Sequence, residues 1–131
     1  MTSKKLPRSD NEWKEILSKD KFRVLRKKVT EPPFTGKFLY NKEKGVYVCA
    51  GCGNPLFSSD TKFDSGSGWP SFWDVISEGS VKLKPDYTLG MNRIEVLCSK
   101  CGGHLGHVFD DGPKPTGKRF CINSTSLDFK K

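Results

Sequence analysis

The chain has 131 residues, of which 34% are hydrophobic, with 13 Gly, 8 Pro and a formal charge of +8. That length suits a single domain spanning residues 1–131, able to bury roughly two thirds of its unfolded surface; so little apolar content suggests an internal staple such as a metal. No apolar run approaches the ~18 residues of a membrane span, and MTSKKLPRSD has no apolar stretch to make it a secretory signal.

The basic excess is local. Residues 1–28 hold ten Lys or Arg against four Asp or Glu, and residues 1–8 read as a flexible basic tail. In SDNEWKEILSKDKFRVLRKK, Ser9 stands three residues before Glu12, a capping-box spacing. Trp13, Ile16 and Leu17 then follow at i, i+3, i+4, the spacing of one helical face. Phe22 and Leu25 continue it into a second short turn, and Trp13 reads as a core anchor.

TEPPFTG ends any helix, with two prolines and a glycine in seven residues. Beyond it the expected strands are KFLY, GVYVC, SVKLK, NRIEVLC, GHVFD and RFCINS, separated by Gly, Pro, Asn and Asp. The class is mainly β, with helix confined to the N-terminal end.

Cys49-Ala-Gly-Cys52-Gly and Cys98-Ser-Lys-Cys101-Gly have the same form, each closing a β-like run. Two such knuckles supply four thiolates, the ligand set of a structural zinc site with no open coordination position. The 45 intervening residues exceed the ~15–20 of a compact zinc ribbon, so the metal would clamp two distant parts of the domain. One rival is a site built from Cys98, Cys101, His104 and His107 alone, which strands Cys49 and Cys52. A thioredoxin-like redox pair is another.

The fifth cysteine lies in RFCINS. Period-two alternation sends Phe120 and Ile122 to the core and leaves Arg119, Cys121 and Asn123 on the opposite face. A guanidinium beside a thiol favours the thiolate. The two histidines, His104 and His107, sit in the Gly-rich GGHLGHVFDDGP, which suits a Cys–His site. In DSGSGWPSFW, glycines 66 and 68 flank the approach to Trp69 and fit a loop that holds an indole in the open, whereas Trp73 reads as packing.

Together these stretches resemble the zinc-containing methionine-R-sulfoxide reductases, the B type. The resemblance runs in order from about Phe22 through TEPPFTG, GVYVCAGC, KFDSGSGWPSF, GMNRIEVLCSKCGGHLGHVFDDGP and PTGKRFCINSTSL, more than three quarters of the chain. It implies two antiparallel sheets around the active site, with short N-terminal helices and zinc on the far side. It also implies Cys121 as the nucleophile that attacks the sulfoxide sulfur and becomes a sulfenic acid. His104, His107 and Asn123 would surround the oxygen, with Asp111 supporting the histidines. Arg119 would hold Cys121 as thiolate, and Trp69 would receive the substrate methyl.

Many members carry cysteine where this chain has Ser67 in GSGWPSF, and that cysteine resolves the sulfenic acid. Here every other cysteine belongs to a zinc pair. The expected partners are therefore oxidised proteins bearing methionine-R-sulfoxide and an external thiol such as thioredoxin. The protein is expected to be cytoplasmic and monomeric, without nucleic acid or membrane contacts. The alternatives are a zinc-knuckle nucleic-acid module, whose affinity would fall steeply with salt, and a zinc/thiol redox switch.

Overall fold

A computed structural model describes residues 9–131, and the expected basic tail, residues 1–8, lies outside them. Two short helices open the described chain. In α1 (Asp10–Ile16) the Ser9 hydroxyl accepts the Glu12 N–H, as the capping-box spacing anticipates. In α2 (Lys19–Lys27) the Ser18 hydroxyl accepts the Lys21 N–H. Arg26 joins the two, pairing with Asp10 at 3.3 Å and lying 5.3 Å over the Trp13 ring.

Trp13 is 2% exposed, but Ile16 is 63% exposed and corrects the expected apolar face. The helix ends at Ile16, and Leu17 caps it in an extended conformation and packs on the core. The inward positions are thus Trp13 and Leu17, one turn apart.

Nine strands follow: β1 (Val46–Cys49), β2 (Pro55–Ser58), β3 (Lys62–Phe63), β4 (Ser71–Phe72), β5 (Val81–Asp86), β6 (Arg93–Cys98), β7 (His104–Phe109), β8 (Arg119–Ile122) and β9 (Leu127–Lys130). They make two antiparallel sheets, ordered β2-β1-β9 and β3-β4-β8-β7-β6-β5. The expected class, mainly β with two antiparallel sheets and short helices, is the observed one. KFLY is the exception: residues 37–40 form turns, and buried Phe38 anchors them against Tyr47.

The core lies between the sheets. Phe72 stacks on Phe57 at 4.4 Å, and Phe120 meets the same ring at 5.7 Å. Phe120 and Ile122 are 7% and 0% exposed and join the core, while Cys121 between them is also buried, at 9%, on the other face of the strand. Burying each large apolar side chain contributes about 1.5–3 kcal/mol. That packing turns the opposite face of the larger sheet outward, and the polar members of β8 stand there. At its edge, β5 carries Lys82, Lys84 and Pro85, residues that discourage pairing with another sheet.

Candidate active site and metal centre

Register sets out the outward face in rows. Ser71, Cys121, His107 and Glu95 are cross-strand neighbours along one row. Phe109 and Arg119 pair in the adjoining row, and Asp86 pairs with Arg93 beyond them. Gly106 keeps β7 and β8 close, since a Cβ there would strike the Cys121 carbonyl. These strands line a cavity of about 240 Å³ whose walls include Trp69, Arg93, His107, Arg119, Cys121 and Asn123.

At its floor, Arg119 Nη1 donates to Cys121 Sγ at 2.7 Å. Asp111 grips the same guanidinium at 2.8 and 3.1 Å, and the ring of Phe109 lies 4.4 Å beneath it. The planar cation is thereby held on the sulfur by three sides. The Arg119 contact in turn keeps the Asp111 carboxyl below its usual range.

Here the expected role of Asp111 needs correction. It orients Arg119, and the histidines have carboxylates of their own. Asp86 Oδ2 lies 2.7 Å from His107 Nε2, and Glu95 Oε2 lies 2.6 Å from His104 Nδ1. Glu95 is buried and also accepts from Lys28 Nζ at 3.3 Å. The physical reason is reach. Antiparallel pairing puts β6 beside β7 and β5 one strand beyond, within side-chain reach, whereas Asp111 follows β7 and turns back to β8.

The two histidines also differ in position. His107 lines the cavity, whereas His104 is 3% exposed and meets the His107 ring edge-on at 5.5 Å. Burial pushes the His104 pKa down against the pull of Glu95, which favours the neutral ring. Its Nε2 is buried without a hydrogen-bond partner among the described residues.

Asn123 lines the cavity, but its amide is engaged with the backbone. Its Oδ1 accepts the Glu31 N–H at 3.1 Å, and its Nδ2 donates to the Leu105 carbonyl at 3.0 Å. Glu31 supplies the next link, its carbonyl accepting the Trp69 indole N–H at 3.0 Å. Asn123 therefore positions the segment that holds the indole. Trp69 itself is half-buried at the cavity wall, on a loop in which Gly66 and Gly68 take φ of 72° and 96°.

Asp86, Glu95 and Arg93 were not singled out in the sequence. A signal for Glu95 existed, since alternation in RIEVLC places Ile94, Val96 and Cys98 together and leaves Glu95 on the face of Cys121. No comparable local pattern marks Asp86.

At the other end of β6, roughly 16 Å from Arg93 by strand rise, stands the second sulfur group. The sulfurs of Cys49, Cys52, Cys98 and Cys101 all lie within 4.8 Å of one another. Two of the separations, 3.7 Å for Cys49–Cys101 and 3.6 Å for Cys52–Cys98, match the ~3.8 Å edge of a tetrahedron with Zn–S near 2.3 Å. Gly51 and Gly103 point N–H groups at Cys49 and Cys101, each at 3.4 Å. Gly53 and Gly102, the residues after the second cysteine of each knuckle, take φ of 81° and 74°. Four sulfurs so placed fit a metal dication, and Cys98 and Cys101 group with Cys49 and Cys52 and not with His104 or His107, which argues against the Cys/His rival.

Residues 17–131 match the SelR domain. The chain is 64% identical over 130 residues to the peptide methionine sulfoxide reductase MsrB of Methanosarcina barkeri (strain Fusaro / DSM 804), covering 99% of this chain and 92% of that protein. With the protein of the same name from Leptospira interrogans it shares 59% identity over 124 residues, covering 95% of each. With the mouse methionine-R-sulfoxide reductase B3, mitochondrial, it shares 53% over 121 residues, 92% of this chain and 48% of that one.

Proposed function

Because the chain belongs to the SelR-domain family of methionine sulfoxide reductases, we propose that Cys121 reduces methionine-R-sulfoxide in oxidised proteins to methionine. Cys121 carries the reading. It is the one cysteine outside the four-sulfur group, and it opens on a cavity that also presents an indole, an imidazole and a guanidinium.

The Cys121 thiolate attacks the sulfoxide sulfur while the sulfoxide oxygen takes up a proton. A placed general acid contributes about 10²–10⁴-fold to such a step, and His107, the histidine that lines the cavity, takes that role. Oxygen passes to Cys121, which becomes a sulfenic acid, the first step of the cysteine oxidation ladder, and the methionine thioether departs. Two external thiols then return Cys121 to the reduced state, giving their disulfide and water. A small dithiol or thioredoxin supplies them.

Epimer choice follows from orientation. With the methyl on Trp69 and the oxygen toward His107, only one hand turns its sulfur to Cys121. The mouse relative, named for the R epimer, supports that hand. Zinc held by Cys49, Cys52, Cys98 and Cys101 would supply structural cross-linking, and no chemistry passes through it. No helix of the described residues is long and apolar enough to cross a membrane.

Dithiothreitol-driven reduction of separated R and S methionine sulfoxide peptides tests the proposal. The wild type should consume R alone, and Cys121→Ser should lose turnover at least 10³-fold while keeping its zinc and its circular dichroism. Substantial activity in that variant, or equal use of both epimers, would overturn it.

A further inference from the structure

Three serine hydroxyls form a line beside Cys121. Ser65 Oγ lies 2.7 Å from both Ser67 Oγ and Ser71 Oγ. Ser67 Oγ is 3.5 Å from Cys121 Sγ, and Ser71 Oγ is 3.8 Å from it. At the far end Ser71 Oγ is placed to donate to the Trp69 carbonyl at 3.1 Å. Ser71 is 1% exposed, so its hydroxyl must find partners within the protein.

Counting protons limits what this line can do. Each hydroxyl holds one, a carbonyl only accepts, and so does a thiolate. Running Ser67 to Ser65 to Ser71 brings the last proton to the Trp69 carbonyl at 3.1 Å, the shorter of the two contacts open to Ser71, the other being the 3.8 Å approach to Cys121 Sγ. On the shorter contact, all three protons are used and none is left for the sulfur. Running Ser71 to Ser65 to Ser67 to Cys121 Sγ also uses all three and withdraws the donor from Trp69. A mixed arrangement leaves a 2.7 Å oxygen–oxygen contact without a proton.

We propose that this hydroxyl line reverses with the charge on Cys121. A negative sulfur draws the Ser67 proton, because hydrogen bonds to ionised acceptors are the stronger ones, and the line turns toward the thiolate. A neutral sulfur releases it, and the line turns back to the Trp69 carbonyl. Ser65, which touches neither end, is then a positioning residue for the thiolate. Ser67 gains a role beyond its lack of a thiol, since it is the link that delivers the proton.

The other charged groups near Cys121 stay constant in the test. Arg119 with Asp111 faces it from β8 and the turn after β7. His107 with Asp86 faces it from β7 and β5, and Arg93 stands on β6. His104 lies behind His107 with Glu95 and Lys28, and Asp64 sits on the serine loop.

The proposal concerns the same thiol as the reductase reading but needs no sulfoxide for its test. Loss of one would therefore leave the other standing. The experiment is the pH dependence of Cys121 alkylation by iodoacetamide in zinc-loaded protein, followed by peptide mass spectrometry. Ser67→Ala should raise the midpoint by about one pH unit, and Ser65→Ala should raise it by about half that or more. Ser65→Thr, which keeps the hydroxyl, should return it to the wild-type value. A shift with Ser67→Ala and none with Ser65→Ala would reduce the line to a single contact and overturn the proposal. So would unchanged midpoints in both, or a Ser65→Thr shift as large as that of Ser65→Ala, which would mark loop packing as the cause.

Discussion

Asp86 does two jobs with one carboxylate, binding His107 on one side and the Thr88 N–H and hydroxyl on the other. Those contacts, His107 first, hold its pKa well below the ordinary carboxylate range. A depressed carboxyl stabilises the fold fully above its unfolded pKa, about 3.9, and loses that contribution as pH falls through the folded value. Asp86→Asn should therefore be less stable than wild type at pH 6, with the gap closing below about pH 4, as urea unfolding at a series of pH values would record. His104 works at higher pH. Its pKa is lowered by burial, so the unfolded chain binds its proton first, and stability should begin to fall as pH drops below about 6.5. His104→Gln should flatten that upper limb and leave the lower one, measured by the same titration.

The serine loop and β8 show how an element aims a side chain. Gly66 and Gly68 place Ser67 Oγ 3.5 Å from Cys121 Sγ, while a disulfide needs about 2.05 Å. A small rotation of a cysteine side chain can close that gap. Ser67→Cys should form an intramolecular disulfide with Cys121 after one equivalent of sulfoxide, and intact-mass spectrometry should show the loss of two hydrogens. In wild type a sulfenic-acid reagent should label Cys121 instead. The alternation that aims Cys121 was legible in RFCINS, because Phe120 and Ile122 declare the core face. The two-residue strands β3 and β4 were not legible. Two residues carry no period, and Ser71–Phe72 is a strand because β8 lies beside it. The carboxylates of the histidines escaped for a related reason: Asp86 and Glu95 reach them across strands, 21 and 9 residues away in sequence. KFLY misled in the other direction, since a locally apolar run served as a buried turn.

The whole molecule joins its two sulfur sites through β6. Cys98 ends that strand in the four-sulfur group, Glu95 in its middle holds His104, and Arg93 at its start lines the cavity. Structural zinc contributes folding free energy outright, about 10–16 kcal/mol apparent in small zinc-finger peptides. A core built on Tyr47, Phe57 and Phe72 leaves this domain less dependent than those. Removal of zinc with a chelator, or Cys98→Ala, should still cost the cooperative thermal transition and the activity together, as scanning calorimetry with metal analysis would show. The strand that loses its anchor is the one that holds His104 through Glu95 and lines the cavity with Arg93. When metal is scarce, the preparation should therefore divide into two populations and not weaken evenly. Molecules with metal should turn over at the full rate with an unchanged KM, and those without it should contribute nothing. Total activity should then scale with the number of occupied sites, which metal analysis beside rate measurements would check.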